Sequence, residues 1–134
     1  MRFENETVFI TGAGSGIGRE TAVSVADDGG FVVVTDIDEE GGQETVEKIE
    51  AAGGEAVFLE LDVTDAEAFE AAVETTIEEY GLDAIVNNAG IGHPPVYTED
   101  VTDSTFEYVL DVNLRGVWNG CQATLPHFKE RGEG

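Results

Sequence analysis

Cysteine and basic side chains are scarce in this sequence, and long apolar runs are missing; each lack excludes a class of protein. Cys121 stands alone, which rules out an internal disulfide and suits a reducing cytoplasm. No run of eighteen or more apolar residues occurs, and the N-terminus carries no basic, apolar leader, so neither a membrane span nor an export signal is expected. Lysine and arginine number 6 against 29 aspartates and glutamates, a net charge of −23. A surface of that sign repels nucleic acid. No internal repeat and no low-complexity linker divides the 134 residues, which are read as one domain, residues 1–134. Such a chain buries about two-thirds of its unfolded surface, enough for one ordinary core.

The acids are interspersed with regular apolar spacing rather than gathered in a tail, the pattern of a folded domain with an acidic skin. Self-repulsion on that skin destabilises a compact state in dilute buffer, and near molar salt the screening length shrinks to about 3 Å. A salt-rich, halophilic cytoplasm is the setting this composition suggests.

What is abundant is glycine, and its most informative placement is Thr11-Gly12-Ala13-Gly14-Ser15-Gly16-Ile17-Gly18. Thr7-Val8-Phe9-Ile10 before it reads as a buried strand; Ile17, Ala22, Val25 and Ala26 after it have helical spacing. Glycines remove the Cβ atoms that would hold a diphosphate away from the backbone, while the free N–H groups and positive dipole end of a helix attract it. The next apolar run, Phe31-Val32-Val33-Val34-Thr35, ends at Asp36, eighteen residues past Gly18. Strand, glycine turn, helix, strand and acid in that order point to nucleotide binding. No Gly-Lys-Ser/Thr closes the turn, which disfavours a P-loop.

Along the chain, Gly29-Gly30 ends the first helix, Asp38 is positioned to cap the second, and Gly53-Gly54 ends it. Strand three is read over 56–59. Thr64-Asp65-Ala66-Glu67 has capping-box spacing before a stripe of Phe69, Ala72, Val73, Ile77 and Tyr80. A short strand over 84–86 runs into Asn87-Asn88-Ala89-Gly90, and the irregular loop 91–101 can close over a ligand. The last helix is expected from Thr102 or Asp103, presenting Phe106, Leu110, Leu114, Val117, Cys121, Leu125 and Phe128 along one side, with Pro126 kinking or shortening its end. Four strands alternating with helices give an open parallel α/β sheet with helices on both faces, in order 3-2-1-4. That topology puts the glycine turn, Asp36, Asp62 and Asn88 on one edge.

The sequence resembles the short-chain dehydrogenase/reductase family. Thr11 to Gly18 matches its Thr-Gly-x-x-x-Gly-x-Gly turn, Asp62-Val63 the place of its adenine-contacting acid, Asn87-Asn88-Ala89-Gly90 its Asn-Asn-Ala-Gly motif, and Asn113 its active-site asparagine. The resemblance implies a Rossmann-type fold and cofactor contacts from Gly12, Ser15, Gly16, Ile17, Gly18, Asp36, Asp62, Val63, Asn88, Ala89 and Gly90. Asn88 can also tie down the turn after strand four. Asp36 can accept hydrogen bonds from the adenosine ribose hydroxyls and repels a 2′-phosphate, and Ile37 supplies no basic partner, so NAD is expected in preference to NADP. No metal site is expected.

The family also uses a tyrosine as general acid/base, a lysine four residues later and a serine that orients the substrate carbonyl. Here Tyr80, Tyr97 and Tyr108 are followed at that distance by Ala84, Val101 and Val112, so no Tyr-x-x-x-Lys occurs. The chain is expected to be the cofactor-binding half of an NAD-dependent oxidoreductase, truncated before strand five, inactive alone, with Asn113 a remnant of the proton relay. A small alcohol or carbonyl substrate would need the other half. The alternative is a non-catalytic nucleotide-binding or interaction protein. An unpaired fourth strand and an uncovered last helix imply self-association.

Overall fold

The computed structural model describes all 134 residues. Four strands, β1 (Thr7–Ile10), β2 (Phe31–Asp36), β3 (Glu55–Glu60) and β4 (Ala84–Val86), form one parallel sheet in the order β3-β2-β1-β4. Helices α1 (Gly16–Asp27), α2 (Glu39–Ala51) and α3 (Ala66–Tyr80) connect them, and α4 (Asp103–Leu110), a π-helical turn (Asp111–Arg115) and α5 (Gly116–Arg131) follow.

Residues 8–10 of β1 and 31–34 of β2 are unbroken apolar runs because both faces of these strands are covered. Alternate side chains feed opposite cores: Val8, Ile10, Val32 and Val34 pack with Ala22, Val25, Val46 and Ile49 on the side of α1 and α2. Phe9 and Val33 pack with Phe69, Val73, Leu82 and Val112 on the other side. Phe9 and Phe69 stack with ring centroids 5.8 Å apart. In-register pairing of Ile10 with Val34 and with Val86 makes β1 and β4 end level, while β2 runs two residues further to Asp36 beside Glu60, the end of β3.

Several local expectations are corrected. Asp65, not Thr64, caps α3, its carboxylate accepting the Ala68 N–H at 3.0 Å. Thr64 is instead drawn back to Asp62, whose Oδ1 accepts both its N–H and its hydroxyl. Asp38 occupies the N-cap position of α2 but its side chain makes no cap bond. The last helix starts at Asp103 as expected and runs to Arg131, but the turn between α4 and α5, which contains Asn113, is widened to π-helical geometry.

The expected apolar stripe on that helix is only partly turned to the core: Val117, Cys121 and Phe128 are half-buried, Phe128 against the Phe9–Phe69 cluster. Phe106, Leu110, Leu114 and Leu125 are exposed, and the buried positions are Val112, Gly116, Asn119, Gly120 and Thr124. Close approach decides this. A Cβ on Gly120 would collide with the Asn87 side chain and lie 3.0 Å from Phe69, and one on Gly116 would lie 2.7 Å from Val63. Small residues therefore face inward along most of the helix, and Phe106, Leu110, Leu114 and Leu125 are left outside. Pro126 does not shorten the helix, which runs on to Arg131 and stops at Gly132 with φ +79°. Pro126 and Gln122, whose carbonyl loses its helical donor, both lie on the exposed side.

Candidate functional site

The turn after β1 is held in place mainly by two side chains, those of Thr11 and Asn88. Thr11, 1% exposed, accepts the N–H groups of Asn88 and Ala89 on its hydroxyl oxygen, each at 3.0 Å. The Asn88 amide donates back to the carbonyls of Thr11 and Gly12 at 3.0 and 3.2 Å. Gly12 has φ +64°, and a Cβ there would lie 2.8 Å from the Ala89 Cα. Turn and motif are thus stitched into one unit, with Asn88 serving as its tie.

Helix α1 begins at this unit without a cap. Ser15 is the N-cap residue, but its side chain makes no cap bond, and the first helical hydrogen bond is Arg19 N–H to the Ser15 carbonyl. The N–H groups of Gly16, Ile17 and Gly18 precede that bond and find no acceptor in the protein. Gly16, with φ +54°, has open space where a Cβ would stand. The positive end of a twelve-residue helix is thus left with unpaired donors, those of Gly16 and Ile17 at the exposed turn, the setting that favours an anion.

A cavity of about 390 Å³ opens beside it, bounded by Gly12, Ser15, Gly16 and Ile17 of the turn, Asp36 and Ile37 after β2, Leu61, Asp62 and Val63 after β3, and Asn88, Ala89, Gly90 and Ile91 after β4. Tyr108 and Val112 close the remaining side. The structure therefore brings together every residue of the expected cofactor set except Gly18. Gly18 is buried behind the turn, where a Cβ would overlap the Gly12 carbonyl, so it governs how closely α1 approaches β1. Asp36 keeps its carboxylate between two backbone donors, Gly14 N–H at 2.8 Å and Asp38 N–H at 2.9 Å.

Asn113 lies outside the cavity lining. Its Oδ1 accepts the Ile91 N–H and its Nδ2 donates to the Ile91 carbonyl, both at 2.8 Å, so the side chain pins the segment after β4 to the π-helical turn. It is exposed rather than buried. The displaced titrations are remote from the cavity: a hydrogen bond with Glu79 raises Tyr80, and one with Asp83 raises Arg131.

The residues that spacing left out are Thr11, Gly14, Arg19, Ile37, Ile91, Tyr108 and Val112. Thr11 and Gly14 carried a visible signal as members of the glycine turn and Ile37 as the neighbour of Asp36; Arg19, Ile91, Tyr108 and Val112 enter through tertiary contacts.

An uncapped helix start, an acid after β2 and a cavity across the carboxyl ends of a 3-2-1-4 sheet define a Rossmann-type nucleotide-binding fold. The short chain dehydrogenase family model matches residues 6–134. The chain belongs to that oxidoreductase family, whose members bind a nicotinamide dinucleotide. It is 48% identical over 133 residues to the probable oxidoreductase EphD of Mycobacterium tuberculosis, covering 98% of this chain and 22% of that protein. A metagenomic short-chain oxidoreductase in complex with NADP superposes with a TM-score of 0.93 at 27% identity, over 100% of this chain and 61% of that one. The 3-ketoacyl-(acyl-carrier-protein) reductase of Brucella melitensis complexed with NADH gives 0.89 at 38% identity, over 96% and 52%. The chain thus spans only part of the length of these relatives.

Proposed function

We propose that residues 1–134 form the coenzyme-binding domain of an NAD-dependent short-chain oxidoreductase acting on a small alcohol or carbonyl compound. The observation that carries this reading is the shared cavity: Gly16 and Ile17, whose N–H groups are unpaired, border one part of it and Asp36 another. Those donors fit a diphosphate, and Asp36 fits the hydroxyls of an unphosphorylated adenosine ribose. Ile37, next to Asp36, offers a 2′-phosphate no positive charge. Asp62 and Val63 are assigned to the adenine, and Ala89 and Gly90 to the length of the dinucleotide beyond the turn.

When bound, the nicotinamide supplies hydride-transfer chemistry. This chain's part is to hold and orient the dinucleotide. A general acid/base adds on the order of a hundredfold to ten-thousandfold to such a reaction, and with no Tyr-x-x-x-Lys in these residues, binding without turnover is expected of them. Asn113, tied to Ile91, then fixes the chain where it leaves the cavity rather than moving protons by itself. Cytoplasmic residence in high salt and association between copies complete the reading; no helix is long and apolar enough to cross a membrane.

Calorimetric titration with NAD⁺, NADP⁺ and ADP tests it. NAD⁺ should bind more tightly than NADP⁺, with ADP retaining part of the affinity; no heat with any of the three overturns the reading. A serine and a Tyr-x-x-x-Lys encoded downstream of Gly134 would favour the enzyme over a non-catalytic nucleotide-binding protein.

A further inference from the structure

The carboxylate that carries the coenzyme preference is itself held by a residue outside the cavity. Asp36 Oδ2 accepts the Gly14 N–H at 2.8 Å, and Gly14 is buried. Unlike Gly12 and Gly16, Gly14 has no positive φ, so backbone conformation does not demand glycine there. The demand is steric. A Cβ at Gly14 would lie 2.8 Å from Asp36 Oδ2, 2.9 Å from its Cγ and 3.0 Å from the backbone nitrogen of Gly42. Gly42 belongs to α2, where a Cβ of its own would overlap the Phe58 ring, so that helix has little room to retreat. The group left to move is the Asp36 side chain.

The other side of Gly14 is also fixed. Arg19 Nη2 donates to the Gly14 carbonyl at 2.5 Å and to the Gly41 carbonyl at 3.1 Å, and Nε donates to the Thr45 hydroxyl at 2.9 Å. The Thr45 hydroxyl in turn lies 2.7 Å from the Ala13 carbonyl, within donating distance. Ala13 N–H donates to Thr35 at the end of β2. Every polar backbone group of Ala13 and Gly14 is thereby engaged by β2, α1 or α2, and none is left for a ligand.

We propose that Gly14 is a positioning residue for coenzyme discrimination: its N–H and its missing side chain set where the Asp36 carboxylate stands, and Arg19 fixes the Gly14 peptide from behind. This rests on the NAD reading above. Neither residue borders the cavity. An added methyl group at Gly14 displaces the carboxylate, which costs NAD⁺ its ribose contacts and lessens the repulsion felt by a 2′-phosphate. A mere loosening of the turn would weaken both dinucleotides together, since both share the diphosphate.

The test is the ratio of NADP⁺ to NAD⁺ dissociation constants, measured by calorimetry on the full chain and on Gly14→Ala, Arg19→Met, Asp36→Asn and the Gly14→Ala/Asp36→Asn pair. Losing hydrogen bonds to a charged group is worth about a tenfold change in affinity, so Gly14→Ala should shrink the ratio about tenfold, chiefly through NAD⁺. Arg19→Met should shrink it by less. In the Asp36→Asn background, Gly14→Ala should leave the ratio unchanged. An equal loss for both dinucleotides, an unaltered ratio, or the same shift with and without Asp36 would overturn the proposal. If circular dichroism shows Gly14→Ala unfolded, an unchanged ratio in Arg19→Met overturns it. Wild-type chain that binds neither dinucleotide defeats the NAD reading itself, a failure visible before any variant is made.

Discussion

At Thr11 a single hydroxyl joins two strands' worth of motif. Its oxygen receives the Asn88 and Ala89 N–H groups, while the hydroxyl faces the Val86 carbonyl at 3.4 Å. Asn88 N–H has a second acceptor in Val86, but Ala89 N–H finds no other. Replacing Thr11 by the isosteric valine therefore strands a part-buried donor, and Thr11→Val should destabilise the chain by about 1–3 kcal/mol, read as a lowered urea midpoint at unchanged slope. Recovery of the wild-type midpoint would show that the hydroxyl is dispensable. Position 36 illustrates the same point from the ligand side. Charge and strand position are plain in the sequence, whereas the two backbone N–H groups that aim the carboxylate come from Gly14 and Asp38, and only the fold reveals that Gly14 is one of them.

Among the elements, the segment from α4 to α5 departs furthest from its sequence pattern. Spacing of Phe106, Leu110 and Leu114 reads as a core stripe, yet these side chains are 59%, 43% and 66% exposed, and Trp118 beyond them is 59% exposed. Two causes act together. The π-helical turn at 111–115 rotates the face that follows it, and Gly116 and Gly120 allow backbone approach to Val63 and Phe69 that larger residues would block. Apolar periodicity marks a face that leaves water; it does not say whether the covering surface belongs to the same copy. With β4 also paired on one side only, the chain should form dimers or larger species, and Leu114→Glu should lower the mass seen by light scattering. A monodisperse wild-type monomer would contradict association through this face.

For the whole molecule, charge imbalance governs how stability responds to the solvent. None of the 29 acids is buried, and five of the six basic side chains are already committed to ion pairs that engage only six acids. The remaining carboxylates repel one another across a surface with few cations to offset them. Screening should therefore stabilise the fold. The melting temperature should rise by several degrees between dilute buffer and molar potassium chloride, each kcal/mol of relieved repulsion being worth roughly 4 °C for a domain near this size. A flat or falling melting temperature would remove the case for a salt-rich cytoplasm.

The sequence by itself determined the strand order, the glycine turn and the acid after β2, because these follow from local signals: alternation of buried runs with helical stripes, and glycines where a backbone must be approached. Ten of the eleven expected cofactor positions border the cavity for that reason, since strand ends in a parallel sheet share one edge whatever packs around them. Tertiary structure alone decided that Gly18 stands behind the turn, that Asn113 spends both ends of its amide on Ile91, and that Gly14 and Arg19 brace Asp36. Those outcomes depend on distances between segments far apart in the chain, set by how closely α1, α2 and α5 can approach the sheet, and no periodicity within one segment encodes them.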